Sequence, residues 1–240
     1  MGVLEGTDLE KRFGHKPVVQ GVSLRVAQGE VVGLLGPNGA GKTTTFYMLV
    51  GIIGATQGRI KAAGRDVTHW PLHQRARFGL SYLPQESSVF RKLSVRENLE
   101  IILEYTGLAR KEQRQRRDRL MYELGISGLS EQRAVSLSGG ERRRLEIARA
   151  LIRDPLFMLL DEPFAGIDPL AVDDIQTNIR GLKDKGIGVL ISDHNVRETM
   201  SICDRVYLVF EGRIILEGTP EEIVQDARAR QIYLGENFSM

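Results

Sequence analysis

The sequence contains a single cysteine, Cys203, among 240 residues. An intramolecular disulfide is therefore excluded, which is typical of a protein from a reducing compartment. Neither sign of charge dominates, because 33 lysines and arginines stand against 31 aspartates and glutamates, for a formal net charge of +2. This balance gives no electrostatic argument for binding nucleic acid over the whole surface.

Long hydrophobic runs are also missing from the chain. No apolar stretch approaches the roughly 18 residues that a membrane-spanning helix needs. Residues 1–7 lack the basic and apolar regions of a secretory signal, and Gly6 stands where N-myristoylation requires serine or threonine. If the protein works at a membrane, we expect another chain to hold it there.

The most informative stretch is a glycine-rich loop between a predicted strand and a predicted helix. It matches the pattern G-x-x-x-x-G-K-[ST], whose glycines let successive backbone N–H groups point at phosphate oxygens. The N-terminus of the following helix adds free donors and partial positive charge. The alternative is a structural glycine-rich turn with an exposed lysine, which would not require every residue of this pattern. We therefore predict a nucleoside triphosphate site made of Gly36, Pro37, Asn38, Gly39, Ala40, Gly41, Lys42, Thr43 and Thr44.

Two acids follow a predicted buried strand farther along the chain. Asp161 and Glu162 come directly after four apolar residues, so both carboxylates should lie at the C-terminal edge of a sheet, where ligands bind in open α/β folds. We expect Lys42 to reach the β- and γ-phosphates, and Thr43 and Asp161 to hold Mg²⁺. Glu162 would face the attacking water as general base or orienting group. Many strands end in Asp-Glu, and the phosphate loop in the same chain is what favours the catalytic interpretation.

A second candidate phosphate site precedes a long predicted helix. Ser138, Gly139 and Gly140 stand just ahead of it, and a helix N-terminus binds anions through its free N–H groups. One triphosphate does not need two such sites from one chain. A head-to-tail dimer resolves this, in which residues 138–140 of one subunit cap the γ-phosphate bound by the other. Taken alone, the same residues could equally form a simple helix cap.

In combination, these motifs resemble those of the ATP-binding cassette ATPases. In chain order they are the phosphate loop, Gln85, residues 137–141, residues 160–163, residues 166–169 and His194. The resemblance implies a homodimer with two molecules of ATP and their Mg²⁺ at the interface. It also implies hydrolysis of ATP that is coupled to transport.

The resemblance assigns roles to further residues. Phe13 occupies the adenine-stacking position, where the family more often has tyrosine, and an ordinary strand aromatic is the alternative. Gln85 corresponds to the glutamine that contacts Mg²⁺ or the attacking water. His194 corresponds to the switch histidine at the γ-phosphate, so that Glu162, His194 and Gln85 form the catalytic set. Asp168 corresponds to an interface aspartate and is also expected to cap a helix at Pro169.

The order of elements predicts an α/β fold. Apolar strands alternate with helical stretches in the second half of the chain, which indicates a mainly parallel sheet with helices on its faces. Residues 4–13 and 18–26 alternate like half-exposed strands. The resemblance implies a P-loop NTPase core with an antiparallel N-terminal β subdomain. We predict one nucleotide-binding domain over 1–240, with an inserted α-helical subdomain at about 89–153 and a C-terminal extension at about 219–240.

The sequence between these motifs indicates which members of the family the chain resembles most. Residues 84–94, 161–169, 192–199 and 233–238 are similar to those of ATPase subunits of lipopolysaccharide exporters. Branched-chain amino-acid importers are the alternative, and a soluble mechanical ATPase of the same family fits less well. The resemblance implies multi-span membrane partner subunits and no direct contact with nucleic acid. It implies a cytoplasmic location, peripheral on the cytoplasmic face of the inner membrane.

Coupling to a membrane subunit needs a surface that moves when ATP binds. The segment after Gln85 joins the nucleotide sensor to the helical subdomain, and we hypothesise that Tyr82, Phe90 and Arg91 line a groove for a short helix of the partner. Packing of Phe90 under its own loop is the alternative. The tail at 232–238 is expected either to cap the sheet or to contact a second subunit.

Overall fold

The computed structural model describes residues 2–235 and residue 238, which form two β-sheets and the helices that cover them. The strands are β1 Val3–Phe13, β2 Lys16–Ala27, β3 Val31–Leu35, β4 Gln57–Ala62, β5 Arg65–Asp66, β6 Leu80–Leu83, β7 Phe157–Asp161, β8 Gly188–Ser192, β9 Arg205–Phe210 and β10 Arg213–Gly218. The helices are α1 Lys42–Val50, α2 Leu72–Phe78, α3 Val95–Leu103, α4 Arg110–Glu123, α5 Gly139–Leu151, α6 Pro169–Asp184, α7 Val196–Met200, α8 Pro220–Gln225 and α9 Ala227–Ala229.

The larger sheet has six strands in the order β10-β9-β3-β8-β7-β6. All neighbours are parallel except β10, which pairs antiparallel with β9. Strands β3, β7 and β8 are buried along their whole length, which explains their continuous apolar sequences because helices cover both faces of a parallel sheet. The predicted mainly parallel sheet is confirmed. The carboxyl ends of β3, β6, β7 and β8 therefore meet at one edge.

The smaller sheet is antiparallel, with the order β2-β1-β4-β5. The inward side chains of its long strands, such as Leu4 and Leu9, pack against Phe46 of α1 and Leu159 of β7 in one buried cluster. Helix α1 thus lies between the two sheets. The apolar core fixes where α1 begins, and so fixes the loop that precedes it.

Residues 89–153 contain the helices α3, α4 and α5. Ser94 caps helix α3: its hydroxyl accepts from the Glu97 N–H, while the Glu97 carboxylate accepts from the Ser94 N–H. A second buried cluster joins Leu99 of α3 and Leu145 of α5 to Leu160 of β7. These helices therefore pack in the same buried cluster as the end of β7.

The C-terminal helices α8 and α9 lead into a π-helical turn, Arg230–Leu234. Tyr233, Leu234 and Phe238 pack against a third buried cluster that includes Leu35 and Leu208. Of the tail discussed above, Glu236 and Asn237 lie outside the described residues. Within residues 2–235, no helix is both long enough and apolar enough to cross a membrane.

Candidate functional site

The phosphate loop connects the end of β3 to α1, and its glycines are required by close backbone contacts. Gly36 has φ of 148° and Gly41 has φ of 102°. A Cβ at Gly36 would lie 2.1 Å from the Val209 carbonyl oxygen, and one at Gly41 would lie 2.8 Å from the Val18 carbonyl oxygen. Neither position accepts a side chain. The loop is therefore held between β2 and β9 in a fixed shape, with α1 starting at Lys42.

Lys42 lies over this loop. Its Nζ donates to the carbonyl oxygens of Gly36, at 2.6 Å, and of Pro37, at 3.0 Å. Burial lowers the pKa of the ammonium group, and the nearby carboxylates of Glu162, Asp161 and Asp193 act in the opposite direction. The ammonium group is partly buried and its two hydrogen-bond acceptors are uncharged carbonyl oxygens. A bound anion would therefore stabilise its charge.

Asp161 ends β7 at the same edge of the sheet and is 4% exposed. Its carboxylate accepts from the Ser192 hydroxyl at 3.1 Å and from the Tyr82 hydroxyl at 3.2 Å. Burial raises its pKa, and these hydrogen bonds oppose the rise. A buried carboxylate with two neutral donors and no direct cation suits a metal ligand.

Glu162, Gln85 and His194 come together, as the catalytic set requires. Gln85 Nε2 donates to the Glu162 carboxylate at 2.8 Å, and His194 Nδ1 lies 3.2 Å from the same oxygen. Glu162 has φ of 46°, in the left-handed region that non-glycine residues seldom occupy. Its N–H donates to the Ser192 carbonyl at 2.6 Å, which turns the carboxylate away from β7 and towards the two partners.

Asp193 is a site residue that the sequence analysis missed. It is 0% exposed, and its carboxylate accepts from the N–H groups of Phe164, at 3.0 Å, and Asn195, at 2.8 Å. Burial raises its pKa. Asp193 thereby ties the loop after Glu162 to the loop that carries His194. The signal was available, since Asp193 directly follows an apolar strand, as Asp161 and Glu162 do.

Ser138 begins α5 in a reciprocal cap. Its hydroxyl accepts from the Glu141 N–H at 3.3 Å, and the Glu141 carboxylate accepts from the Ser138 N–H at 2.8 Å. A Cβ at Gly139 would lie 2.9 Å from the carbonyl oxygen of Gly166. Gly139 and Gly166 also line a cavity of about 290 Å³ together with Gln85. Ser138 is thus held in its own helix cap, and its neighbour Gly139 lines the same cavity as Gln85.

A buried ion pair on α5, also missed from the sequence, connects this helix to the site. Arg143 and Glu146 bind each other at 3.0 Å and are almost fully buried. Arg143 donates to the carbonyl oxygens of Pro84 and Asp161, at 3.1 and 3.3 Å, while Glu146 accepts from the Ser88 N–H at 3.1 Å. Helix α5 is therefore fastened both to the end of β7 and to the loop after Gln85.

The remaining predicted residues lie farther out. Phe13 is 53% exposed at the end of β1, with the Lys11 ammonium 5.4 Å from its ring centre. Asp168 is the N-cap of α6 and accepts from the Leu170 N–H at 2.9 Å. Phe13 therefore has an open face for stacking, and the expected capping role of Asp168 is confirmed.

The three residues of the hypothesised groove have different contacts in the structure. Tyr82 donates to Asp161 and packs edge-on against Tyr47, at 6.2 Å between ring centres. Its hydroxyl therefore lies beside the carboxylate of Asp161, and its place in the groove stays a prediction. Phe90 is 44% exposed, with the Arg149 guanidinium 5.0 Å from its ring centre. Arg91 lines the cavity that contains Gln85.

The residues at this edge fit ATP with its metal. The phosphate loop provides a cradle of N–H groups that no side chain fills, and Thr43 is exposed beside it. Residues 2–235 hold no cluster of three or more His, Cys, Asp or Glu side chains that could bind a metal alone. Mg²⁺ is ordinarily bound by one or two protein groups together with substrate phosphates and water, which this donor set can supply.

Comparison with known proteins identifies the class. Residues 19–165 match the ABC transporter family, and residues 213–239 match the branched-chain amino acid ATP-binding cassette transporter family. The chain belongs to the ABC transporter family and is an ATPase, as the motifs predicted.

Individual relatives resemble the whole chain. The lipopolysaccharide export system ATP-binding protein LptB of Acidithiobacillus ferridurans is 53% identical over 238 residues, 99% of each chain. The protein of the same name from Escherichia coli is 53% identical over 241 residues and 100% of each chain. The crystal structure of the ADP conformation of an ATP-binding cassette is 30% identical, with a TM-score of 0.88 over 98% of this chain and 100% of that one. The predicted P-loop fold is confirmed.

Proposed function

We propose that this chain is the ATPase subunit of a lipopolysaccharide exporter. The observation that carries the proposal is the 53% identity, over nearly the whole length of both chains, with relatives that bear that name. By this proposal the chain binds multi-span membrane subunits from the cytoplasmic face of the inner membrane. It reaches the membrane only through them.

Within the ATPase site, different residues of the chain bind the phosphates, hold the metal and activate the water. Lys42 and the phosphate loop bind the β- and γ-phosphates, and Thr43, Asp161 and Gln85 would hold the Mg²⁺, which supplies charge neutralisation on the phosphate oxygens. Glu162 accepts a proton from the attacking water. His194 and Gln85 hold the Glu162 carboxylate in place, as their shared contact with one oxygen indicates.

The proposed active form is a homodimer that shares its sites. The N–H groups of Ser138 and Glu141 are used in the cap of α5, and a helix N-terminus attracts an anion through its remaining donors. In the dimer, residues 138–140 of one subunit would cover the γ-phosphate bound by the other, and Asp168 would lie at the contact. Helix α5 would report this contact to the loop after Gln85 through Arg143 and Glu146.

The proposed membrane contact centres on Phe90. Its ring is exposed but held by Arg149, and its N–H donates to the buried Asn98 side chain at 2.8 Å. A fixed, exposed aromatic beside an arginine is the kind of anchor that receives a partner helix. Arg149 also donates to the Ser88 hydroxyl, so the same surface is connected to the loop that senses nucleotide.

The test is to purify the tagged chain from detergent-solubilised membranes of its own organism, identify the co-purifying membrane proteins, and measure ATP hydrolysis of the complex. The proposal predicts that added lipopolysaccharide changes the ATPase rate in proteoliposomes, while leucine, isoleucine and valine with a periplasmic binding protein do not. The reverse result would favour the importer alternative, which the match of residues 213–239 supports. Co-purification of ribosomes or DNA instead would contradict transport altogether.

A further inference from the structure

Positive charge is concentrated on helix α4. Residues 110–119 contain six lysines and arginines and two acids, so their formal net charge is +4, against +2 for the whole chain. The rest of the chain therefore has a small negative net charge. The near-neutral total hides one strongly basic stretch, and such a stretch on a surface attracts anionic partners.

Half of these cations are used inside the protein and half are not. Three of them form ion pairs: Arg116–Asp154, Arg117–Glu100 and Arg119–Glu123. The other three, Arg110, Lys111 and Arg114, are exposed, and their side chains have no ion pair or hydrogen bond within residues 2–235. All three lie in the first five residues of α4, where the helix dipole makes cations unfavourable. No acid pairs with these side chains, whereas an anionic partner would stabilise them.

Two of the unpaired cations line a cavity between α3 and α4. Its volume is about 440 Å³, and its lining includes Arg110 and Arg114 together with the acid Glu104. Arg117 and Glu100 also line it, and these two neutralise each other. The two unpaired arginines therefore outweigh the single charge of Glu104. The planar donor groups of arginine match the oxygens of a phosphate ester.

Tyr105 connects this cluster to the surface that carries Phe90. It lies in the turn between α3 and α4, and its side chain is 76% exposed. Its carbonyl oxygen accepts from the Arg153 guanidinium at 2.7 Å. Arg153 comes four residues after Arg149, whose guanidinium lies 5.0 Å from the ring centre of Phe90. The proposed contact with the membrane subunits therefore continues to Tyr105, and tyrosine with arginine is typical of a membrane–water interface.

We propose that Tyr105 and the first turn of α4 form a surface that binds the headgroups of anionic phospholipids beside the membrane subunits. Arg110, Lys111 and Arg114 would contact phosphate oxygens, with the Tyr105 ring at the level of the headgroups. Each cation near an anionic bilayer raises the affinity roughly fivefold.

The contact is weak by itself. With Arg153, four cations correspond to half-saturation at about 1 mM lipid, which does not hold a chain at a membrane without further anchors. The surface therefore orients a chain that its partners have already recruited. This orientation rests on the proposed function, whereas the binding of anionic lipid does not.

Co-sedimentation of the purified chain with vesicles tests the lipid binding directly. Vesicles of equal parts phosphatidylglycerol and phosphatidylcholine, at about 5 mM accessible lipid and low salt, should sediment most of the chain. Vesicles of phosphatidylcholine alone should sediment almost none. Raising the salt to about 1 M should release the bound chain, because the Debye length then falls to about 3 Å.

The variant to compare replaces the three unpaired cations together: Arg110→Ala, Lys111→Ala and Arg114→Ala. Its affinity for the anionic vesicles should fall about 100-fold, the combined effect of three cations. Its Tm should stay the same or rise, because cations in the first turn do not stabilise a helix. Hydrolysis of ATP by the isolated variant should stay near the parental rate, since α4 lies outside the nucleotide residues.

A matched control removes the same charge from exposed positions on the smaller sheet: Arg25→Ala, Arg59→Ala and Lys61→Ala. It should keep the parental affinity for the vesicles. Equal losses in the two variants would overturn the proposal, because binding would then depend on total charge and not on this surface. Failure of the parent chain to bind, or equal binding to neutral vesicles, would also overturn it. Since the assay contains no membrane subunit, these results would leave the proposed function unaffected.

Discussion

Glu162 combines an uncommon backbone conformation with two side-chain partners. Its left-handed φ and the short hydrogen bond from its N–H to Ser192 hold the carboxylate beside Gln85 and His194. Strain of this kind is retained where surrounding structure enforces it, often at functional sites. The geometry therefore supports the role of Glu162 as the base, with Gln85 and His194 as its orienting partners.

Glu162→Gln should preserve ATP binding and slow hydrolysis by about 10²- to 10⁴-fold, the range for loss of a general base. The amide has the size of the carboxylate but cannot accept the proton from water. Calorimetric binding and steady-state phosphate release together check this. Turnover near the parental rate would remove Glu162 from the catalytic role.

Asp161→Asn should raise the ligand-free Tm at pH 7 while increasing the Mg²⁺ concentration needed for half-maximal hydrolysis. Burial raises the folded-state pKa of this carboxyl above its unfolded value, so the charged form destabilises the folded protein at neutral pH and stability falls as pH rises through that pKa. The gain in Tm should therefore shrink as the pH falls towards 3.8. Calorimetric melting at several pH values measures it; a lower Tm at pH 7 would contradict the assignment.

At the scale of elements, helix α5 connects three parts of the site. Ser138 is its N-cap. Its buried Arg143–Glu146 ion pair contacts both the end of β7 and the loop that contains Gln85. Ser94 caps α3 with the same reciprocal arrangement. Because both serines cap a helix in the same way, comparing their alanine variants distinguishes the effect of losing a cap from an effect on catalysis.

Ser138→Ala and Ser94→Ala should each destabilise the protein by about 0.5–2 kcal/mol, as loss of an N-cap does. Only Ser138→Ala should also reduce ATP hydrolysis, because its hydroxyl would contact the γ-phosphate of the other subunit. Thermal melting and phosphate release on both variants check this. Equal losses of hydrolysis in the two would mean that Ser138 acts only as a cap.

The sequence predicted the elements whose role is chemical more completely than those whose role is packing. The phosphate loop, the acids after β7 and the cap of Asp168 follow from local patterns. Helix α2 was missed because it has no apolar periodicity; its Arg75 is buried and donates to the carbonyl oxygens of Met48 and Leu49 at 2.6 Å. Such a contact depends on tertiary structure. The edge strand β10 was missed for the same reason, since only its pairing with β9 defines it.

Tyr82 shows the same limit at the site. As a strand residue next to Pro84 it could face either side of the sheet, and no local pattern specifies its partner. Its hydrogen bond to Asp161 depends on the parallel register of β6 and β7. Asp193, in contrast, followed a strand as the other acids do and could have been predicted. The sequence thus determines the residues of the site more fully than their contacts.

At the scale of the whole molecule, the exposed ring of Phe90 is the proposed contact with the membrane subunits. Phe90→Ala should weaken their binding by roughly 30-fold, equivalent to about 2 kcal/mol for a central aromatic. Hydrolysis by the isolated chain should stay near the parental rate. Tyr122→Ala is the control, because Tyr122 on α4 is 81% exposed and lies outside this surface. Equal binding by the Phe90 variant and the parent would exclude the proposed groove.

The central claim is that each chain contributes half of each ATP site, and mixing two variants tests it most directly. Lys42→Ala removes the phosphate-binding amine, Ser138→Ala removes the partner's cap, and each should be nearly inactive alone. Phosphate release after the two are mixed should recover to about a quarter of the parental rate per chain, because about half of the dimers are mixed and each of these holds one intact site. A mixture no more active than the separate variants would show that the chain does not share its sites.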